Sequence, residues 1–211
     1  MKDLIILGAG VHGAEMAEIA ERASHAGAPW RLRGFAVPEG HADLVGKTIN
    51  DYPVLGTRQA LQRYPGCCVV PDNEHKEPIG LPRERIASLV DPSAFVSRTA
   101  RIGAGCVIYP HCFVGLRASL GDFVFMLPGA VVNHDGALAD RVVVCSSVIL
   151  AGGVRVETGC YLGQGCVVRQ NLCIGRDSVI GMGAVVTKDV GAGSVMAGNP
   201  ARLLPARESR L

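Results

Sequence analysis

The chain has 211 residues and a mass of 22.1 kDa, and its 21 lysines and arginines nearly balance its 19 aspartates and glutamates. A net charge of +2 is too small to indicate binding to nucleic acid or to an acidic membrane surface. No apolar run reaches the roughly 18 residues of a membrane span, and the first residues lack the features of a secretory signal, so we expect a soluble, cytoplasmic protein.

The composition is unusual for a globular core. Apolar residues make up 48% of the chain, but aromatic residues make up only 5%, and there are 27 glycines and 8 cysteines. Disulfide frameworks are typical of short secreted chains, so the cysteines call for a different explanation. We expect an interior filled by small aliphatic side chains.

The N-terminal third alternates strand and helix patterns. Residues 4–10, LIILGAG, predict a buried strand, and residues 12–26 predict a helix. The remainder of the N-terminal third predicts strands at 31–37 and 67–71, a helix at 57–64 and a polar loop at 72–82.

A glycine motif lies at the first strand-to-helix turn. Gly8, Gly10 and Gly13 form G-x-G-x-x-G, which can present backbone N–H groups to a phosphate. A nicotinamide site would need an acidic residue about 20 residues further on, where this chain has the apolar residues 35–37, and it would need a longer domain. The motif therefore predicts either a site for one phosphorylated ligand or a tight turn without a ligand.

A six-residue repeat occupies the rest of the chain. Aliphatic residues stand at every sixth position from Val90 to Val186. Neither a helix nor a single strand has this period, whereas a parallel β-helix built from hexapeptides does.

Two further columns follow the same period. Small or apolar residues stand two positions before each aliphatic residue and should share its inward direction; Cys106, Cys112, Cys160 and Cys166 belong to this column. Glycine follows the aliphatic residue at 103, 115, 121, 163, 175 and 181, where we expect the chain to turn a corner without Cβ strain. These four cysteines are therefore predicted to be packing residues.

One histidine within the repeat is a candidate for chemistry. His134 is followed at once by Asp135, and residues 18 apart should stack about 4.8 Å from each other, which puts Gly152, Gln170 and Lys188 in the column of His134. A base, a position without a side chain and a cation along one edge would suit a long thioester that carries phosphates. The alternative is that His134 is an ordinary polar corner residue.

Residues 90–204 resemble the hexapeptide-repeat acyltransferases, a family with a left-handed parallel β-helix. The stretches AVVTKDV at 184–190 and GNPAR at 198–202 are similar to the C-terminal signature of that family. With LIILGAGVHGAE at 4–15 and VVNHDG at 131–136, the whole chain resembles the two-domain group that acetylates sialic acids or nucleotide-linked amino sugars.

This resemblance implies a small N-terminal Rossmann-like α/β domain, residues 1–85, followed by a left-handed parallel β-helix, residues 86–211. It implies a homotrimer with acetyl-CoA as co-substrate, no metal, and active sites between adjacent β-helices. In that group the histidine is the general base and the following acidic residue supports it. Its oxyanion donor, a backbone N–H one coil further on, corresponds to Gly152.

The resemblance also assigns the remaining binding residues. The residues that it assigns to acetyl-CoA binding are Ala151, Lys188, Asn199 and Pro200. Arg202 is a further candidate for binding a CoA phosphate. Gly8, Gly10, His12 and Gly13 fall on the acceptor side.

The chain departs from the usual residues of the group at positions that bear on the identity of the acceptor. Residues 36–39, AVPE, lack the usual acidic pair, and Asn133 stands where an aspartate is common. The acceptor is therefore either a sugar of this class or another small-molecule amine or alcohol.

Other function classes are a non-catalytic trimeric nucleotide-binding scaffold, an acyl-enzyme formed on Cys145, and a metal enzyme. A metal enzyme would need more histidines than His111 and His134 in the repeat.

Overall fold

A computed structural model describes residues 1–74 and 80–204, so the predicted loop at 72–82 and the C-terminal tail lie partly outside the described residues. The chain divides into two compact units. The first contains Met1–Pro92 and Ala104–Val107, and the second contains Ser93–Gly103 and the chain from Ile108 onward. The predicted domain boundary after residue 85 stays a prediction.

The first unit is built on a five-stranded sheet with the order β3-β4-β2-β1-β5. Its elements are β1 (Lys2–Leu7), α1 (Val11–His25), β2 (Trp30–Val37), β3 (Thr48–Ile49), β4 (Tyr52–Thr57) and β5 (Cys68–Pro71), with short 3-10 helices at Glu39–Leu44, Arg58–Arg63 and Arg83–Arg85. All neighbouring pairs are parallel except β3 with β4. Strand β1 lies between β2 and β5, and its residues 4–7 are fully buried, so it lies in the core of this unit.

The sequence predicted most of these elements but missed a hairpin. Strand β1 ends at Leu7 rather than at residue 10, because Gly8 turns the chain with φ +124°. The hairpin β3–β4 turns at Asn50 and Asp51, which both adopt positive φ, as a two-residue type I′ turn requires. The helix predicted at 57–64 is the 3-10 helix Arg58–Arg63.

A buried ion pair ties α1 to the end of the next strand, β6 (Leu89–Val90). Arg22 donates from Nε to Oδ2 of Asp91 at 2.8 Å and from Nη2 to Oδ1 at 3.1 Å. The Asp91 side chain has no exposed surface, so this carboxylate depends on its partners for compensation. Among the residues that the structure describes, no helix combines the length and apolar character that a membrane crossing needs.

The hexapeptide region folds into a parallel β-solenoid with three sheets. The first sheet contains β7 (Phe95–Val96), β10 (Phe113–Val114), β13 (Val131–Val132), β16 (Ile149–Leu150), β19 (Val167–Val168) and β22 (Val185–Val186). The second contains β8 (Arg101–Ile102), β11 (Ser119–Leu120), β14 (Ala137–Leu138), β17 (Arg155–Val156) and β20 (Cys173–Ile174). The third contains β6, β9 (Val107–Ile108), β12 (Phe125–Met126), β15 (Val143–Val144), β18 (Tyr161–Leu162), β21 (Val179–Ile180), β23 (Val195–Ala197) and the antiparallel β24 (Arg202–Leu203).

The register of the solenoid confirms the 18-residue coil. Val114 pairs with Val132, and Val132 pairs with Leu150. Both inward columns are buried from Cys106 and Ile108 onward, so the interior is filled by small and aliphatic side chains, as the composition predicted. All 8 cysteines are free thiols, and the four in the small inward column are buried.

The glycines after the strands have a different cause from the predicted one. Gly115 and Gly163 lie outside the left-handed region, but a Cβ on either would lie within 2.8 Å of the backbone of the next coil. The left-handed conformation falls two residues later, where non-glycine residues such as Arg117, Asp135 and Arg141 adopt φ of 56–59°. Close stacking of coils, rather than backbone strain at the corner, therefore selects glycine after the strand.

Candidate active site

His134 lies on the corner that connects β13 to β14, and its side chain is 65% exposed. The corner is anchored to both neighbouring coils. Asn133 donates from its backbone N–H and from Nδ2 to the carbonyl of Leu150, at 3.1 and 2.9 Å. On the other side, a Cβ on Gly115 would lie 2.8 Å from the backbone nitrogen of His134. The alternation of the strand ends at this corner, so the imidazole points outward.

Asp135 binds the imidazole directly. Nδ1 of His134 lies 2.8 Å from Oδ2 of Asp135. An ionised carboxylate only accepts hydrogen bonds, so Nδ1 carries the proton of the neutral ring and Nε2 has a free lone pair. This arrangement prepares Nε2 to accept a proton from a substrate.

Arg117, one coil earlier, binds the same carboxylate with two hydrogen bonds. Its Nε donates to Oδ1 of Asp135 at 2.6 Å and its Nη2 donates to Oδ2 at 2.9 Å. These bonds, and secondarily the bond from His134, lower the pKa of Asp135 to about 2. The same pairing raises the pKa of Arg117. Asp135 therefore remains charged throughout the neutral range.

Gly152 lies against the imidazole from the coil above. A Cβ at this position would lie 2.5 Å from Cε1 and 2.6 Å from Nε2 of His134, so only glycine leaves room for the ring in this position. Within residues 1–74 and 80–204, no acceptor binds the backbone N–H of Gly152. The N–H groups of Leu116 and Gln170, at the same corner of other coils, are also without an acceptor in that part of the chain. The fold thus leaves a backbone donor at this corner in several coils, and the one at 152 belongs to the residue that lies against the His134 ring.

A groove of about 700 Å³ begins beside this corner. Ala151 lines it, together with residues 167–172 and 185–187. The loop that contains Asn199 and Pro200 is bound to the same wall, since Gly198 accepts from and Ala201 donates to the backbone of Val185 at 3.0 and 2.8 Å.

The two basic candidates lie near the same wall. Lys188 is exposed and directly follows the last residue of the groove lining. Arg202 donates to the carbonyl of Ala201 at 3.0 Å, within its own loop. Lys188 thus lies in the same column as His134 and Gly152 and places a positive charge next to the groove.

The glycine motif of the first unit forms a turn with two close approaches. A Cβ on Gly8 would collide with the Asp72 carboxylate, and a Cβ on Gly13 would collide with the carbonyl of Gly8. Gly10 precedes α1 without a side-chain cap, and the first turn of this helix contains no acidic residue. His12 contacts Glu15 at 3.4 Å on the same exposed turn.

The cysteines show no sign of an activated thiol. Cys145 is buried, and burial raises its pKa. Burial likewise raises the pKa of Cys166 to about 12. A buried thiol with a raised pKa is a poor nucleophile. Among the described residues, no cluster of three or more histidine, cysteine or acidic side chains is arranged to hold a metal ion.

In each unit, one residue beside the predicted positions was not itself predicted. Arg117 belongs to the column 18 residues before Asp135, and the same stacking rule that linked His134 to Gly152 would have found it. Asp72 is buried against Gly8 at the end of β5, where only the folded sheet brings the two together.

Comparison with solved structures gives matches along almost the whole chain, whereas no protein-family model matches the sequence. A variant of GDP-perosamine N-acetyltransferase from Caulobacter crescentus, in complex with CoA and GDP-perosamine, is 25% identical, with 98% of each chain covered and a TM-score of 0.85. The acetyltransferase domain of PglB from Neisseria gonorrhoeae is 28% identical, with 97% of this chain and 100% of that chain covered and a TM-score of 0.80. WeeI from Acinetobacter baumannii, at 24% identity and a TM-score of 0.66, shares the fold.

Proposed function

We propose that this chain, which belongs to the hexapeptide-repeat acyltransferases, transfers an acetyl group from acetyl-CoA to the amine of a nucleotide-linked amino sugar, with His134 as general base. The observation that carries the proposal is the His134 corner, where Asp135 binds Nδ1 and leaves Nε2 as the base beside a backbone N–H of Gly152.

The structural matches support this choice of substrates. The Caulobacter enzyme binds CoA and GDP-perosamine, and the PglB domain has been solved with acetyl-CoA. In this chain the groove beside Ala151, bordered by the loop of Asn199 and Pro200 and followed by Lys188, supports acetyl-CoA binding. Lys188 and Arg202 would bind its phosphates.

The mechanism is a direct transfer in one active site. Nε2 of neutral His134 removes a proton from the acceptor amine as the nitrogen attacks the thioester carbonyl. The Gly152 N–H stabilises the oxyanion of the tetrahedral intermediate. When the C–S bond breaks, the imidazolium returns its proton to the leaving thiolate, so free CoA and an amide are formed. Asp135 holds the imidazole in the required orientation throughout.

The first unit would hold the nucleotide part of the acceptor. Its parallel strands β4-β2-β1-β5 support the Rossmann-like assignment, in which ligands bind at the carboxyl ends of the strands where the chain reverses direction across the sheet. Gly8, Gly10, His12 and Gly13 lie at that end of β1. The open N-terminus of α1 would bind a phosphate of the nucleotide there.

The assembly would be a trimer of left-handed β-helices. The outward residues of the first solenoid sheet are all apolar, and several are exposed: Phe95, Phe113, Val131, Ile149, Val167 and Val185. A continuous apolar column of this kind favours burial against another copy of the chain. The groove beside Ala151 includes Val167 and Val185, so the same packing would complete the acetyl-CoA site.

The test is a thiol-release assay with acetyl-CoA and a panel of acceptors. The panel contains GDP-, UDP- and dTDP-linked amino sugars, sialic acids, and amines and alcohols without a nucleotide. We expect turnover with a nucleotide-linked amino sugar and a decrease of about 10²- to 10⁴-fold in kcat for His134→Ala, which is the usual contribution of a general base.

His41→Ala is the matched control, since His41 lies on an exposed 3-10 turn of the first unit, and it should keep the wild-type kcat. Wild-type turnover by His134→Ala would refute the role of the base. Thiol release only with acceptors that lack a nucleotide would refute the acceptor class while leaving the acetyl transfer intact.

A further inference from the structure

Arg117 and Asp135 occupy the same corner position in two successive coils, and both have left-handed backbone conformations. This stacking aligns the guanidinium edge of Arg117 with both carboxylate oxygens. The Arg117 backbone N–H donates to Oγ1 of Thr99 at 2.9 Å, so the coil before also holds this residue. The result is a relay of contacts in the order Thr99, Arg117, Asp135 and His134.

Building on the proposed function, we propose that Arg117 is a positioning residue that fixes the Asp135 carboxylate and balances its charge beside His134. Without Arg117, the carboxylate could rotate about its side-chain torsions, because within the described part of the chain its only other side-chain hydrogen bond joins it to Nδ1 of His134. Bidentate pairing between arginine and a carboxylate restricts that rotation more than a single hydrogen bond can. Arg117 does not itself contact Nε2, so its effect on the base acts through Asp135.

The charge of Arg117 has a separate consequence. An uncompensated carboxylate 2.8 Å from Nδ1 would favour the protonated imidazole, which cannot act as a base. The positive charge of Arg117 offsets that effect of the carboxylate. Other charged groups near this corner are two or three coils away in the stack, at about 10 to 14 Å, and so have weaker effects: Arg98, Arg169, Lys188 and Asp189.

Asp135 itself does not produce the expected pH effect. Folding lowers the pKa of Asp135 from 3.8 to about 2, so its carboxylate stabilises the folded state. This stabilisation is fully present above pH 3.8 and is lost only as the pH falls towards about 2. Protonation of Asp135 therefore does not account for an acid limb of activity in the neutral range.

The experiment compares pH–rate profiles of kcat for the wild type, Arg117→Met and Arg117→Lys, with the acceptor found in the thiol-release assay. The Arg117 side chain is 60% exposed, so these variants should fold. For Arg117→Met we expect a decrease in kcat of up to about 10²-fold from the misplaced base and a shift of the acid limb to higher pH by about 0.5 to 1 unit. Arg117→Lys keeps the charge, so its acid limb should match the wild type while kcat recovers only in part.

Arg141→Met is the matched control. Arg141 has the same left-handed corner conformation on another edge of the solenoid, so this variant should keep the wild-type profile. The shift should also disappear in an Asp135→Asn background, where no carboxylate charge remains to be balanced.

An acid limb of Arg117→Met that superimposes on the wild type would overturn the inference, as would an equal shift in Arg117→Lys. His134→Ala in the same assay separates the two proposals. If His134→Ala is inactive and the limb does not move in Arg117→Met, only the positioning role fails. If His134→Ala retains turnover, the proposed function fails first.

Discussion

Gly152 contributes to the site through the side chain that it lacks. The imidazole of His134 fills the space that a Cβ would take, so the identity of residue 152 sets the position of a side chain one coil away. Gly152 lies outside the left-handed region, so an alanine is acceptable to the backbone itself. The requirement for glycine is therefore one of contact with the imidazole of His134.

The variant Gly152→Ala tests this contact. A Cβ 2.6 Å from Nε2 must push the ring aside, and we expect a decrease in kcat of about 10²-fold with little loss of stability. Steady-state kinetics and thermal melting of the same sample check the two parts. Gly191→Ala is the control, since a Cβ there meets only Ser194 Oγ at 3.7 Å. An unchanged kcat in Gly152→Ala would show that turnover does not depend on the contact between the His134 imidazole and residue 152.

At the scale of an element, α1 is tied to the end of β6 by a pair of unequal exposure. The Arg22 side chain is 54% exposed, whereas the Asp91 side chain is not exposed at all. The desolvation cost therefore falls mainly on the carboxylate, and the guanidinium lowers that cost while it remains accessible to water. This contact fixes the helix against the end of β6 within the first unit.

Arg22→Met should destabilise the first unit by about 3 kcal/mol, the low end of the range for removing one partner of a buried pair. Urea unfolding followed by Trp30 fluorescence measures this directly, because Trp30 is the single tryptophan and begins β2. Arg31→Met is the control, since its pair with Asp3 is exposed, and its unfolding midpoint should change much less. Equal midpoints for the two variants would contradict the role of burial.

At the scale of the whole molecule, the proposed trimer depends on the outward column of the first solenoid sheet. Ile149 lies in the middle of this column and is 43% exposed in the single chain. Its strand, β16, directly precedes Ala151 and Gly152, so assembly and catalysis are expected to depend on the same stretch of chain.

Ile149→Lys should therefore convert the trimer into monomers and abolish turnover, because burying an unpaired charge is costly. Ile149→Leu keeps the apolar surface and should remain trimeric and active. Light scattering gives the mass of each variant, and thiol release gives its activity. A trimeric, active Ile149→Lys would show that copies of the chain do not meet at this sheet.

The sequence predicted the solenoid closely because each coil repeats the same demands. Inward positions must be small or aliphatic, and any deviation would appear as a break in the six-residue period. His134 and Asp135 could be selected because the repeat contains no other histidine that is followed at once by an acidic residue. The stacking of Gly152 next to the histidine followed from the same period.

Other features could not be read from one column. Arg117 lies in the column of Asp135, one position away from the column of His134. The stacking that pointed to Gly152 therefore did not point to Arg117. The β3–β4 hairpin was missed because its Asn50-Asp51 turn lies between short strands with little alternation. The glycines after the strands were predicted for the right places but for the wrong reason, since contact between coils is visible only in three dimensions.

The stacked register also determines which changes of length the protein can tolerate. Arg117, Asp135 with His134, and Gly152 come from three consecutive coils and meet because each is one 18-residue step from the next. Adding or removing a whole coil elsewhere in the solenoid would leave these neighbours in place, whereas the loss of a single residue within the three coils would separate them. The spacing between these three coils is therefore fixed at 18 residues if their side chains are to remain neighbours.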